Sequence, residues 1–271
     1  MQLPLFQLPL TLHEGTCEHV LRMYPNTFEC IFADPPYFTQ KAKSKHVKYS
    51  VSKRLQAQNW QDFHAEWDDE WESPYHYYFW TLAWMEAARH ALTTSGSMYV
   101  CGSHHGIWAA RLAAYELGMY VIQDIAWCIP NAMPHLAGKQ MASSHQTLLW
   151  IRKGKKHIYD AEAAKKYNNG KNLRDYWIIN NYSGKKESDH PSKKPPELMQ
   201  RAFDIATRDG ALVCDPFGGS GRTYLGAQSV GKVKGVTLIE RDHTYCLDIA
   251  RIYHLEERNV PGHYQTIVPP G

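Results

Sequence analysis

The stretch Val213-Cys214-Asp215-Pro216-Phe217-Gly218-Gly219-Ser220-Gly221 decides the fold of this 271-residue chain. An apolar run ends in an acid, and a glycine turn then leads into a segment of helical character. Glycines let the backbone pass close to a ligand, and the N-terminus of a following helix offers that ligand free N–H groups. About twenty residues later the run Val236–Ile239 ends in Glu240, where a nucleotide-binding crevice would hold a ribose diol. The spacing is not G-x-G-x-x-G and no Walker lysine follows, which argues against a dinucleotide or a triphosphate.

Short apolar runs alternate with helix-like segments along the rest of the chain. Helices are predicted to begin at Ser73-Pro74, running to about Leu92, and at Pro195-Pro196-Glu197. Two more are predicted over 220–230 and 243–257. The predicted strands are 28–33, 97–102, 121–129, 147–152, 211–214 and 236–240. This alternation favours a largely parallel α/β sheet covered by helices on both faces. The apolar start, Met1–Leu12, is predicted to be an extended arm packed on the domain.

Composition excludes several classes of protein. No run of 18 or more apolar residues occurs, so no membrane span is expected. The six cysteines form no CxxC pair, which predicts buried thiols in a reducing cytoplasm. Without such pairs or an HExxH segment we expect no metal site, and without G-x-S-x-G we expect no serine hydrolase.

Positive charge is concentrated in two segments, although the net charge is only +3. Residues 152–194 hold twelve Lys/Arg against five Asp/Glu, and residues 41–54 hold six basic residues and no acid. Such focused excess is typical of a face that binds a polyanion, and a solvated lysine-rich loop is the alternative. The predicted DNA contacts are Lys41, Lys43, Lys45, Lys48, Lys155, Lys156, Lys165, Lys166, Lys171, Arg174, Lys185 and Lys186.

A second motif, Asp34-Pro35-Pro36-Tyr37, follows the apolar run Ile31–Ala33. A carboxylate at the end of a strand lies where open α/β sheets bind their ligands. The two prolines stiffen the chain and offer carbonyl acceptors without competing N–H donors, which suits a substrate amino group. The tyrosine offers a flat face on which a planar ring could stack.

Together these segments resemble the amino-methyltransferase family of DNA-modifying enzymes. Asp34-Pro35-Pro36-Tyr37 matches its catalytic D/N/S-P-P-Y/F motif, and Asp215–Gly221 matches its D-P-F-x-G-S-G cofactor motif. His190-Pro191-Ser192-Lys193-Lys194-Pro195 is similar to its H-P-T-x-K-P segment. The order, with the catalytic motif first and the cofactor motif last, resembles the circularly permuted β group.

The resemblance implies a Rossmann-like fold for S-adenosylmethionine-dependent methyltransferases, with a mostly parallel seven-stranded sheet and an inserted target-recognition region. Residues 1–150 and 190–262 would form the catalytic and cofactor-binding domain. Residues 152–189 would form the target-recognition region. Residues 39–72 follow Tyr37 directly and are basic in the first half and acidic in the second, so we expect a mobile DNA-contacting loop there, with a plain mobile surface loop as the alternative. The implied cofactor is S-adenosylmethionine and the implied partner is DNA. The resemblance also suggests two partners, a second copy of the chain in a homodimer and a cognate restriction endonuclease. It further suggests a cytoplasmic protein encoded by a bacterium or a phage.

The resemblance also implies roles for single residues. The Asp34 side chain and the Pro35 carbonyl would accept the two N–H bonds of the target amino group, and Tyr37 with Phe38 would stack on a flipped-out base. Asp215 would face the methionyl ammonium, and Glu240 would hold the ribose hydroxyls. The expected cofactor-binding residues are Asp215, Pro216, Phe217, Gly218, Gly219, Ser220, Gly221, Thr223, Glu240, His190, Ser192 and Lys194.

Three positions depart from the pattern of the family. Gly15, with Glu14 beside it, stands where the family has an acid that contacts the adenine of the cofactor. Gln146 stands where a glutamate usually precedes the Leu148-Leu149-Trp150 strand, and Lys139 stands in place of a usual arginine. These departures leave open a DNA-binding protein with a decayed active site. RNA or a protein amide is an alternative substrate, since sites similar to N-P-P-Y serve those too. Adenine N6 is the favoured target, because Asp in the first motif position leans towards adenine, and cytosine N4 is the alternative.

Overall fold

The computed structural model describes residues 8–38, 71, 73–134, 138–182, 193–257 and 262–266. The described strands are β1 (Leu10–Glu14), β2 (Phe28–Ala33), β3 (Leu92–Gly102), β4 (Tyr120–Cys128), β5 (His145–Arg152), β6 (Tyr176–Ile178), β7 (Ala211–Asp215), β8 (Val233–Glu240), β9 (Leu255–Glu257) and β10 (His263–Thr266). The described helices are α1 (Cys17–Leu21), α2 (Pro74–Ala91), α3 (Ile107–Glu116), α4 (Ala161–Lys166), α5 (Pro196–Ala206), α6 (Arg222–Gln228) and α7 (His243–Tyr253).

All these strands form one sheet in the order β6-β4-β5-β3-β2-β7-β8-β1-β10-β9. Only β5 and β10 run against the direction of the others in this sheet. The predicted mixed, mostly parallel α/β fold is confirmed, but the predicted number of seven strands is wrong. Seven strands lie from β4 to β1, and β6, β9 and β10 extend the two sides with only three or four residues each.

Two apolar layers cover the sheet because its central strands are buried on both faces. Alternate residues of β2 point to opposite sides, so Phe32 joins the core under α5, α6 and α7, and Ile31 joins the core under α1, α2 and α3. On the first face Phe203 of α5 is fully buried, and on the second face Trp84 of α2 is fully buried. This double burial explains why the strands read as continuous apolar runs.

Local signals place several helix boundaries correctly. The Ser73 hydroxyl accepts a hydrogen bond from the His76 N–H, and Pro74 occupies the first turn, as predicted for the start of α2. The predicted helix 243–257 is too long, because α7 ends at Tyr253 and His254 takes a left-handed conformation before β9. The predicted arm Met1–Leu12 is corrected in its last residues: Leu10–Leu12 belong to β1, which pairs with β8 and β10.

The cysteines are free thiols, and five of the six are buried, as predicted, whereas Cys128 is half-buried. None of the described helices combines the length and apolar character that crossing a membrane requires.

We expect Phe203→Ala to lower the free energy of unfolding by about 3–5 kcal/mol, because the lost side chain leaves a cavity between α5 and the sheet. Urea unfolding followed by circular dichroism measures this change. Phe79→Ala is the matched control, since Phe79 is 62% exposed and its loss should change stability by less than about 0.5 kcal/mol. Equal losses in the two variants would contradict the described core.

Candidate active site at the carboxyl edge of the sheet

Acidic side chains collect where the neighbouring strands β2, β7, β8 and β1 end. β2 runs into Asp34, while β7, β8 and β1 end at Asp215, Glu240 and Glu14. These four strands are parallel neighbours, so their carboxyl ends meet at one edge of the sheet. This carboxyl edge is the place where open α/β sheets bind ligands. The two predicted motifs therefore lie together, as their positions after strands required.

An ion pair holds the carboxylate of Asp34. The Lys194 Nζ lies 2.8 Å from Asp34 Oδ2, and Lys194 is only 7% exposed. Burial lowers the pKa of Lys194, but the charge and hydrogen bond of Asp34, together with smaller contributions from Cys101 and Asp215, raise the pKa above its ordinary value. Lys194, which we expected among the cofactor-binding residues, thus contacts the catalytic motif directly.

The Tyr37 hydroxyl donates a hydrogen bond to the other carboxylate oxygen of Asp34, Oδ1, at 2.8 Å. The same hydroxyl lies 2.8 Å from Gln146 Oε1 and 3.1 Å from Cys101 Sγ. The Cys101 thiol in turn donates to Gln146 Oε1 at 3.3 Å. Burial, together with the charge of Asp34, raises the pKa of Cys101 to about 12, so at neutral pH this thiol stays protonated and is no nucleophile.

Sequence reasoning missed Cys101 and Gln146 as members of this site. Cys101 lies near the end of β3, and Gln146 lies at the start of β5, which is antiparallel to β3. An antiparallel strand brings its first residues to the edge where its parallel neighbours end. The only signal in the sequence was the unusual amide at position 146.

The expected stacking pair is corrected in one member. Phe38 is 7% exposed and stacks on Tyr77 with ring centres 5.3 Å apart, so it has no free face for a base. Tyr37 remains half-buried, with the Lys194 Nζ 5.0 Å from its ring centre. The Tyr77 hydroxyl also donates to the Pro36 carbonyl at 3.0 Å, which fixes the path of the chain after Asp34.

Asp215 is a buried carboxyl group, 4% exposed, at the end of β7. It accepts hydrogen bonds from the Phe217 N–H at 2.9 Å and from the Thr223 hydroxyl. Burial raises the pKa of Asp215 to about 8, against those hydrogen bonds, and the charges of Asp34 and Glu240 add to the rise. A cationic group brought to this carboxyl would therefore be stabilised.

Glu240 is fastened by backbone donors at both of its oxygens. The Gly219 N–H donates to Oε2 at 2.6 Å, and the Asp242 N–H donates to Oε1 at 2.8 Å. Burial raises the pKa of Glu240 in spite of these bonds. Glu14 lies beside Glu240 across β1 and β8, but its carboxylate turns to His243 Nδ1 at 2.9 Å.

The glycine turn from Pro216 to Gly221 is anchored to helices of both layers. The Phe217 ring lies 5.8 Å from Trp80 and 5.2 Å from Trp84, centre to centre. The Tyr253 hydroxyl donates to the Gly221 carbonyl at 3.0 Å, and Gly221 has a φ of 72°. The turn therefore presents Gly218, Gly219 and Ser220 to the crevice from a fixed backbone.

The predicted DNA-binding residues are scattered over the described surface. Lys155 and Lys156 are exposed at the opposite edge of the sheet, since residues 153 and 158 donate to the carbonyls of Gly96 and Ser95, which precede the part of β3 that pairs with β5. One strand length of roughly 20 Å separates the two edges, so the geometry disfavours contact between this lysine pair and a base near Asp34. Lys165 is paired with Glu162 at 2.7 Å, while Lys166, Lys171 and Arg174 are exposed.

Several predicted residues lie outside the described residues: Lys41, Lys43, Lys45, Lys48, Lys185, Lys186, His190 and Ser192. The predicted loop 39–72 falls almost wholly there as well. The described part of the predicted target-recognition region is tied to the main sheet, because β6 pairs with β4 and Asp160 forms an ion pair with Lys232 at 2.9 Å. Its role in recognising DNA stays a prediction.

Gly221→Ala should destabilise the protein by more than the cost of a left-handed alanine, because the new Cβ would lie 2.7 Å from a ring carbon of Tyr253. Gly210→Ala is the matched control: its φ is 81°, but nothing lies within 4 Å of the added carbon. We expect about 1 kcal/mol for Gly210→Ala and about 1–3 kcal/mol more for Gly221→Ala in urea unfolding. Equal losses would show that Tyr253 does not press on the turn.

Comparison with known proteins agrees with this arrangement. Residues 28–251 match the N6_N4_Mtase family, described as DNA methylase. The type II methyltransferase M2.DpnII of Streptococcus pneumoniae is 29% identical over 237 residues, which cover 82% of this chain and 82% of that protein. M2.LlaDCHI of Lactococcus lactis subsp. cremoris is 29% identical over 233 residues, covering 82% of this chain and 81% of that protein.

Solved structures share the fold at lower identity. The PvuII DNA methyltransferase, described as cytosine-N4-specific, has a TM-score of 0.68 at 17% identity and covers 93% of this chain and 88% of its own. The M1.HpyAVI–SAM complex has a TM-score of 0.62 at 20% identity and covers 89% of this chain and 98% of its own. With a family match that spans both motifs and the strands between them, the chain belongs to the DNA methylase family.

Proposed function

We propose that this chain is a site-specific DNA methyltransferase that transfers a methyl group from S-adenosylmethionine to N6 of a flipped-out adenine. The observation that carries the proposal is the Asp34 carboxylate, held at the carboxyl edge by Lys194 and Tyr37 at 2.8 Å each. It faces the same crevice as Asp215 and Glu240. Membership of the DNA methylase family supports DNA as the substrate.

The crevice fits S-adenosylmethionine by the chemistry of its acids. Among the described residues Asp215 has hydrogen bonds but no ion-pair partner, so the methionyl ammonium would supply a counter-charge. Each oxygen of Glu240 keeps lone pairs beyond those taken by backbone N–H groups and would accept the ribose hydroxyls. When bound, this cofactor supplies an electrophilic methyl group on a sulfonium.

Asp34 would activate the target amino group. The lone pair of that nitrogen is delocalised into the base, and acceptors for both N–H bonds pull the nitrogen towards tetrahedral geometry and free the lone pair. Lys194 keeps the charge of Asp34 compensated while the carboxylate accepts one N–H bond. Once the nitrogen is methylated it must lose a proton, and the same carboxylate is hydrogen-bonded to it.

The Pro35 carbonyl is the second acceptor in this proposal. The Pro36 carbonyl already accepts from Tyr77 at 3.0 Å, whereas within the described part of the chain the Pro35 carbonyl accepts no hydrogen bond. Two acceptors on neighbouring residues of one stiff segment orient the amino group, and this positioning supplies much of the catalysis.

The target base has to leave the duplex, at a cost of roughly a few kcal/mol, because its amino group is otherwise out of reach. In the structure Tyr37 donates to the oxygen that the amino group would use, so its hydroxyl must give way when the base arrives. The ring is then free to stack on the base, which is worth roughly 1–3 kcal/mol.

Exposed basic residues along the β6 side of the sheet, Lys171 and Arg174, are the described candidates for phosphate contacts. The choice of adenine over cytosine N4 rests on Asp34 in the first motif position. The intact network around Asp34 favours an active enzyme over a decayed DNA-binding protein.

Tritiated S-adenosylmethionine and mixed genomic DNA test this proposal. We expect label in N6-methyladenine, and Asp34→Ala should reduce it at least about 100-fold, the scale seen when one charge-stabilising group is removed. Asp209→Asn, on an exposed turn, is the control and should retain activity. Label in N4-methylcytosine would replace the target, and absence of label in DNA despite cofactor binding would overturn the proposal.

Cofactor affinity should rise with pH between 6 and 8, by up to about tenfold per pH unit, and binding should release a proton. The reason is that the pKa of Asp215 is about 8 in the free protein, so below that pH the carboxyl must ionise before it can pair with an ammonium. Calorimetry in two buffers of different ionisation enthalpy counts the released protons.

Asp215→Asn should bind the cofactor more weakly and show neither the pH dependence nor the proton release. Asp209→Asn should behave as the unaltered protein. Proton release that persists in Asp215→Asn would contradict the assignment of Asp215 to the ammonium.

A further inference from the structure

The side-chain amide of Gln146 has hydrogen-bond contacts at its oxygen but none at its nitrogen within the described residues. Its Oε1 lies 2.8 Å from the Tyr37 hydroxyl and 3.3 Å from the Cys101 thiol, which donates to it. Among the residues that the structure describes, the amide nitrogen has no hydrogen-bond partner. Gln146 is half-buried, so a ligand in the crevice can reach that nitrogen. The side-chain NH2 group carries two donors, so this nitrogen can donate to a ligand in the crevice.

The Tyr37 hydroxyl marks the place where a base would be held. It lies 2.8 Å from both Asp34 Oδ1 and Gln146 Oε1, so these two oxygens are separated by no more than twice that distance. A planar base whose amino group replaces the hydroxyl at Asp34 would turn the neighbouring edge of its ring towards Gln146.

The edge beside the amino group is the same in both candidate targets. In adenine the amino carbon is bonded to N1, and in cytosine it is bonded to N3, and each of these ring nitrogens is a hydrogen-bond acceptor. An amide N–H donor beside a carboxylate acceptor therefore complements the paired acceptor and donor of either base.

We propose that the Gln146 amide N–H donates to this ring nitrogen and makes Gln146 a binding residue for the target base. The inference rests on the proposed function. It also assigns a role to the glutamine that this chain has in place of the usual glutamate, because an ionised glutamate at this position would have no proton to donate. The Cys101 thiol, which donates to Oε1, continues to hold that oxygen after the Tyr37 hydroxyl has moved away, and it thereby aims the nitrogen at the base.

The test measures single-turnover rates and kcat/KM on duplexes with adenine, 1-deazaadenine or 7-deazaadenine at the methylated position. 1-Deazaadenine lacks the proposed acceptor and 7-deazaadenine keeps it. The unaltered protein should lose about tenfold or more in kcat/KM on 1-deazaadenine relative to 7-deazaadenine, the scale of one buried donor left without its partner. If the methylated base is cytosine, 3-deazacytosine takes the place of 1-deazaadenine.

Gln146→Leu and the near-isosteric Gln146→Glu should lose a similar factor on adenine and should no longer distinguish 1-deazaadenine from 7-deazaadenine. Gln123→Leu, at an exposed position of β4, is the matched control and should discriminate as the unaltered protein does. Cofactor binding and circular dichroism verify folding, and the nearly isosteric glutamate keeps the test valid if leucine disturbs the strand.

The inference is overturned if the unaltered protein treats both deaza bases alike, or if the two Gln146 variants still discriminate between them. A role confined to holding Tyr37 would produce the second result, since the variants would then slow every substrate by the same factor. Absence of methylation of any natural DNA by the unaltered protein would instead contradict the proposed function, so the two failures are distinguishable.

Discussion

The ion pair between Lys194 and Asp34 is the interaction on which the site depends. Their side chains are 8% and 19% exposed, so neither charge is well solvated. A buried pair adds little net stability, but removing one partner costs roughly 3–5 kcal/mol because the other charge is left alone. The contribution of the pair is thus geometrical: it ties the segment before α5 to the end of β2 and fixes one oxygen of the carboxylate.

The closely placed carboxyl groups of Asp34, Asp215 and Glu240 determine which ligands the carboxyl edge of the sheet can bind. Lys194 forms its ion pair with Asp34, while the hydrogen bonds of Asp215 and Glu240 come from backbone N–H groups and the Thr223 hydroxyl. Burial raises the pKa of both, and of Asp215 to about 8. Such a crevice favours a ligand that brings a positive charge and hydroxyl donors, which is the chemistry of S-adenosylmethionine.

The glycine turn is rigid because both helical layers hold it. Phe217 packs against Trp80 and Trp84 from one layer, and Tyr253 donates to the Gly221 carbonyl from the other. The N–H groups of Phe217, Gly218 and Gly219 already donate to Asp215, the Ile239 carbonyl and Glu240, so the turn offers a ligand a fixed surface and positions the two acids. The Tyr37 hydroxyl, by contrast, has to move for a base to reach Asp34.

The sequence by itself determined six of the central strands, four of the helices and the two motifs, because apolar runs, the proline and serine at a helix start and the glycine turn act over a few residues. It could not predict the number of strands in the sheet, since edge strands of three or four residues are too short to show a recognisable pattern of apolar residues. Only the tertiary structure decided that Lys194 contacts Asp34, that Cys101 and Gln146 join the site, that Phe38 is buried and that Lys155 and Lys156 lie at the opposite edge. These facts depend on which strands are neighbours and in which direction β5 runs, and no local period of the sequence specifies that.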